Sequence, residues 1–198
     1  MESLAAADRN DQSSRNDAGL SHLRIAYALR DIDPRRALPH GNRAVELLDV
    51  SSPQNTEFRA NARIAVGDAF RALREFPQAE RSLRDADGVL KVRGSGMESM
   101  LDLAWARLEA ARGQREAAAA WFNHAIKIDE GIVAERATPA NAWWLARTLE
   151  LAAAAMPDSA PVFHQRVADI WSDQDRRYPN HPWIEQRLAE ARSRIASR

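Results

Sequence analysis

The stretch 63–86, RIAVGDAFRALREFPQAERSLRDA, reads as two helices joined by a turn, and it decides the fold. Ile64, Ala65, Val66, Ala69, Phe70 and Leu73 recur at the three- and four-residue spacing of one helix face. Pro77 marks the break, and Ala79, Leu83 and Ala86 then resume the same spacing. The pattern returns in 102–125, DLAWARLEAARGQREAAAAWFNHA, where Ala118 and Ala125 stand thirty-nine residues after Ala79 and Ala86. One unit earlier, Arg24-Ile25-Ala26 precedes Arg63-Ile64-Ala65 by the same interval, and Ala37/Ala44 keep the seven-residue separation. In both better units a small residue on the first helix precedes one on the second by twelve: Gly67 before Ala79, Ala106 before Ala118. Two small side chains facing one another let the helices approach closely, while Phe70, Leu83, Trp105 and Phe122 fill the space beside them. Self-similarity at this length marks a helical solenoid, whose units bury their faces only against neighbours.

Outside these units the chain stays helical. Ala, Leu, Arg and Glu dominate, and Gly and Pro fall mainly between the periodic segments. Helices are expected at about 18–31, 34–49, 55–74, 77–91, 97–112, 115–129, 139–155, 159–177 and 182–196, with no strand. Asp33-Pro34 is a cap followed by a first-turn proline, and Asp158 or Ser159 opens a later helix. The expected organisation is a polar, poorly ordered lead-in over 1–17, helical repeats over 18–156, and closing helices over 157–198.

The 198 residues are 45% hydrophobic and 28% charged, ordinary for a folded soluble domain. Basic and acidic residues balance at 28 each, which argues against nucleic acid as the partner. Only Lys91 and Lys127 are lysines, so the positive charge is almost entirely guanidinium. Without cysteine there is no disulfide, thiolate metal site or cysteine nucleophile. No apolar run reaches membrane-spanning length, and Met1–Asp11 lacks the apolar core of a signal peptide. The expectation is a cytoplasmic protein with no membrane partner.

The signature Val66-Gly67, Phe70, Ala79, Leu83, Ala86, echoed by Trp105-Ala106, Ala118, Phe122 and Ala125, resembles the tetratricopeptide repeat. The resemblance implies an all-α, right-handed superhelical solenoid of about four antiparallel helix pairs plus a C-terminal capping helix. Arg63 and Asp102 stand where the family usually has tryptophan, and Glu109 where it has an aromatic. Lys91 and Glu130 replace its closing proline, and the first unit is about three residues short in its turn. HEAT-like pairs are the alternative, but they lack the twelve-residue small–small spacing. More narrowly, Leu4-Ala5-Ala6-Ala7-Asp8, Arg24–Leu29 and Asp33–Leu38 resemble repeat regions that follow the catalytic domain in some bacterial serine/threonine protein kinases. That likeness implies a regulatory or docking tail. The chain has no glycine-rich phosphate loop, His-Arg-Asp or Asp-Phe-Gly of its own.

The resemblance also implies a groove lined by the first helices. By position it comprises His22, Ile25 and Leu29, then Asn61, Ile64, Asp68 and Arg71, then Met100, Leu103 and Arg107. The lysine/asparagine clamp of chaperone-docking versions is missing, but Arg71 and Arg107 suit a carboxylate side chain. Adjacent residues on a helix point about 100° apart, so Trp143 and Trp144 cannot both face inward; one packs and the other, Trp144 as the candidate, meets a partner.

Other motifs read as structure. His22, His40, His124, His164 and His181 are not spaced as a metal pair. Asp173-x-Asp175 near Asp169 lacks the glycine and distal glutamate of a calcium loop. Gly94-Ser95-Gly96 is a hinge, not a nucleophile elbow. The reading is therefore a scaffold without catalytic residues, cofactor or metal, binding a protein or peptide. The alternatives are a kinase tail and an adaptor that forms a homodimer through the Trp143–Trp144 helix.

Overall fold

A computed structural model describes residues 12–49, 55–90 and 94–196. Among them every regular element is helical: α1 (Gln12–Leu29), α2 (Pro34–Asp49), α3 (Thr56–Ala72), α4 (Phe76–Val89), α5 (Gly96–Ala111), α6 (Arg115–Glu135), α7 (Pro139–Ala155), α8 (Ala160–Arg177) and α9 (Pro182–Ala196). A single 3₁₀ turn, Pro157–Ser159, precedes α8. Neighbouring helices pack in pairs, as the alternation of apolar faces and short turns requires. None is long and apolar enough to cross a membrane.

The helix ends have local causes. Asp33 Oδ1 accepts from the Arg36 N–H at 3.2 Å, and Pro34 fills the first helical position. Thr138 caps α7 likewise, its Oγ1 accepting from the Asn141 N–H at 3.2 Å, with Pro139 following. Two turns share a left-handed residue at the same place in the repeat: Arg74 (φ 63°) after α3 and Gly113 (φ 79°) after α5. Glycine adopts that conformation without a Cβ clash, whereas arginine is strained there.

Two elements differ from the sequence reading. Helix α1 begins at Gln12, not at 18, so residues 12–17 are helical; the earlier part of the expected lead-in lies outside the described residues. Its first turns are held because Ala18 and Gly19 are buried and Asn55 Nδ2 donates to Asn16 Oδ1 at 2.9 Å. Helix α6 runs to Glu135, beyond the expected end near 129. Gly131 does not stop it, and Val133 still packs on the core.

The chain forms two compact units. The first holds the described residues up to Leu90 together with Arg107–Gly113; the second holds Gly94–Ala106 and everything from Gln114. In the first unit, Leu23, Ala26, Ala44, Leu48, Ala62 and Ala65 form an aliphatic core. The expected close approach of α3 and α4 is present: a Cβ on Gly67 would lie 2.7 Å from Leu83 Cδ2 and 3.3 Å from the Ala79 carbonyl oxygen. In the second unit Leu103, Ala106, Phe122, Leu149, Phe163, Trp171 and Ile184 share one core. Trp183 meets Trp171 edge-on at 5.2 Å, so the last helix closes this layer. Trp105 was expected beside the small–small contact; it is half-buried and stacks on Trp121 at 5.9 Å.

Candidate functional site

The charged residues expected to line the groove converge in the first unit. Helix α1 ends at Leu29, and the turn that follows carries Arg30 and Asp31; α3 supplies Asp68 and Arg71, and α5 supplies Arg107. Asp68 is buried, its side chain 4% exposed, because its helix position faces α1 and the end of α5 rather than water. A buried carboxylate must be paired, and this one meets three guanidiniums. Arg71 Nε donates to Asp68 Oδ1 at 3.1 Å, Arg107 Nη1 to Oδ2 at 2.8 Å, and Arg30 Nε lies 3.5 Å from Oδ2.

The same arginines bind a second carboxylate. Arg71 Nη2 donates to Asp31 Oδ1 at 2.6 Å, and Arg107 Nη2 to the same oxygen at 2.5 Å. Each guanidinium is thereby forked, one edge on Asp68 and the other on Asp31. Asp31 differs from Asp68 in being 46% exposed. Partial burial would raise its carboxyl, but Arg107, then Arg71 and Arg30, outweigh this and hold it below the usual range. A lowered carboxyl contributes stability above the ordinary aspartate value and loses it as pH falls through the lower, folded value. Three positive groups face two negative ones, leaving one positive charge in excess.

Asn61 joins through Tyr27. The Tyr27 hydroxyl donates to Asn61 Oδ1, and the Arg30 guanidinium lies over the Tyr27 ring at 4.2 Å. Burial pushes the Tyr27 phenol up, with Arg30 opposing, so it stays neutral at physiological pH.

The other expected groove residues divide. Ile25 is exposed, Leu29 and Met100 are half-exposed, but Ile64 and Leu103 are buried and offer nothing to a ligand. Both stand one turn before a charged residue on the same helix face, Ile64 ahead of Asp68 and Leu103 ahead of Arg107, and are covered by neighbouring helices there. His22 and His40 meet with their Nδ1 atoms 2.8 Å apart, so one ring donates and the other accepts. Trp144 belongs to the second unit and is not part of this cluster. It is 43% exposed, while Trp143 packs against the core and meets it edge-on at 4.7 Å.

The repeat register also explains polar pairs missed in the sequence. Asp68 and Arg107 occupy equivalent positions thirty-nine apart and bind each other. Arg63 donates to Asp85 at 3.2 Å, and at the equivalent positions Asp102 meets His124 at 2.7 Å, the carboxylate now on the earlier residue of the pair. Positions 63 and 102 are thus each held by a member of a polar pair. Opposite charge at one-period spacing could have revealed Asp68–Arg107, but nothing local announced Tyr27, Arg30 or Asp31.

Among the described residues, no three His, Asp or Glu side chains group as a metal site would need. Asp173 is taken by Arg177 at 2.6 Å and Arg176 at 3.3 Å, and Asp169 accepts from Gln165 at 2.9 Å.

Comparison with family models, curated proteins and solved structures returned no match to this chain. The described residues form an all-helical arrangement of paired helices carrying a half-buried, net-positive arginine–aspartate cluster.

Proposed function

We propose that the chain is a protein–protein interaction scaffold of the tetratricopeptide kind, its helix pairs continuing as a right-handed superhelix. In this reading the first helices of successive pairs hold an extended peptide or a partner helix. The observation that carries it is the gathering of Asn61, Asp68, Arg71 and Arg107, all placed by the repeat register, into one cluster with an exposed edge at Asp31. The thirty-nine-residue register and the close Gly67–Leu83 approach support the same reading. It assigns no catalytic step, cofactor or metal.

The test is capture from a cell lysate on the immobilised chain. Two variants are compared with the unmodified protein: Arg71→Gln with Arg107→Gln, and Ile32→Ser, each checked for helicity by circular dichroism. Ile32 is 83% exposed beside Asp31, so its replacement leaves the core alone. Proteins retained by the unmodified chain and lost by both variants support a binding face here. If nothing is retained that either variant loses, the reading fails.

A second reading, self-association through α7, rests on the exposed Trp144 indole. Light scattering on the unmodified chain and Trp144→Ala decides it, and a monomer in both cases ends it.

A further inference from the structure

The Arg71 and Arg107 edges facing water already hold a carboxylate, and the chain itself supplies it. Asp68 and Asp31 do different work in this arrangement. Asp68 is buried on α3 and fixes the pair of guanidiniums from below. Asp31 lies on the turn between α1 and α2, where the Ile32 and Asp33 N–H groups both donate to the Leu29 carbonyl at 3.0 and 2.7 Å. Its side chain can swing off the arginines by a χ1 rotation while that turn stays hydrogen-bonded. The arginines cannot follow it, because their remaining donors stay on Asp68.

We propose that Asp31 is an internal occupant of a carboxylate-binding site made by Arg71 and Arg107, and that an acidic side chain of a partner peptide replaces it. The inference rests on the scaffold reading and adds the chemistry of the ligand and a built-in competitor. Three features select a carboxylate. Two Nη2 donors converge on one Asp31 oxygen, the site keeps one positive charge in excess, and Asp68 preorganises both forks before any ligand arrives. Ile32, almost fully exposed beside the competitor, offers an apolar contact next to the acidic group. With Asp31 in place, a partner must displace an intramolecular contact, so affinity is set by competition with a group that is never diluted.

The experiment is isothermal titration of the full chain at low salt with three N-acetylated peptides. An acetylated, amidated hexaglutamate carries only side-chain carboxylates. A hexaglutamine with a free terminus carries only a terminal carboxylate, and the amidated hexaglutamine carries none. Each is titrated into the unmodified protein, Asp31→Ala, Asp31→Asn and Asp31→Glu. Asp31→Ala and Asp31→Asn are expected to bind hexaglutamate about tenfold more tightly than the unmodified chain, the scale of one charge-assisted hydrogen bond. Asp31→Glu is expected to return towards the unmodified affinity. A stronger gain for the free-terminus peptide overturns the side-chain assignment and gives the ligand to a chain end. Equal hexaglutamate affinity with and without Asp31, or none in any variant, overturns the proposal. If lysate proteins still depend on Arg71, Arg107 and Ile32 in that case, the scaffold reading survives without it.

Discussion

The two units solve the same packing problem with different chemistry. The first has no tryptophan and seats an aliphatic and alanine core beneath a five-residue ionic cluster. All six tryptophans lie in the second, where three aromatic pairs, at 5.9, 4.7 and 5.2 Å, accompany a larger apolar core. Large rings contribute area and tolerate few rearrangements, whereas a charged cluster contributes little net stability and can exchange partners. On the proposed reading, recognition belongs to the first unit.

The largest expected effects come from the centre of each unit. Asp68→Ala would leave three guanidiniums half-buried around a missing partner, at a cost of about 3–5 kcal/mol. Trp171→Ala would open a cavity under Trp183 and cost about 3–5 kcal/mol as well. Urea unfolding at low and high salt separates the causes. Salt should narrow the deficit of Asp68→Ala and leave that of Trp171→Ala unchanged; equal salt response in both would break the contrast.

Gly67→Ala should cost about 1–3 kcal/mol, because the new methyl meets Leu83 and the Ala79 carbonyl, against a helix-propensity gain of about 1 kcal/mol. The second unit carries alanine at the equivalent position 106, so it tolerates there what the first does not. A Gly67→Ala protein that melts no earlier than the parent would show the α3–α4 approach to be looser than described.

A smaller effect concerns Asp129 in the second unit. Its burial raises the carboxyl above the ordinary aspartate value, although Thr148 and Ser99 pull it down. Thr148 has one hydroxyl proton for two acceptors, Asp129 Oδ2 at 2.6 Å and the Trp144 carbonyl at 3.1 Å. The sign is opposite to Asp31: a raised carboxyl favours the fold below the ordinary value, and that contribution is lost as pH rises through the folded value. Asp129→Asn should therefore flatten stability against pH in that window, read from melting temperature. A parallel pair of curves would contradict it.

The smallest is a gain. Arg74→Gly should stabilise the first unit by about 0.5–1 kcal/mol, since Gly113 already fills the equivalent left-handed position in the next repeat. A lower midpoint in urea would show that the Arg74 side chain contributes more than its strained backbone costs.

How much of this was legible follows the range of each interaction. Gly67, Ala79, Leu83 and Ala86 announced a helix pair because their spacing is local, and Asp33-Pro34 announced a helix start for the same reason. Arg71 and Arg107 were placed by register. Their engagement with Asp31 was not legible, since the partners stand forty and seventy-six residues away and Asp31 fell at the end of the expected helix 18–31 with nothing to single it out. The sequence showed that Trp143 and Trp144 must diverge, but which one packs depends on how α7 turns its face to the core. The end of α6 was misplaced because Ile132 and Val133 carry its apolar face on past the expected end near 129.

The central claim is that recognition belongs to the first unit. Its most direct test is a heteronuclear NMR titration of the full chain with acetylated, amidated hexaglutamate. The six indole N–H signals all report on the second unit, and the amides of Asp31, Ile32, Arg71 and Arg107 report on the ionic cluster. Shifts concentrated at those four amides, with the indoles unmoved, are the predicted result. A titration that moves the Trp144 indole and leaves the cluster still would contradict it.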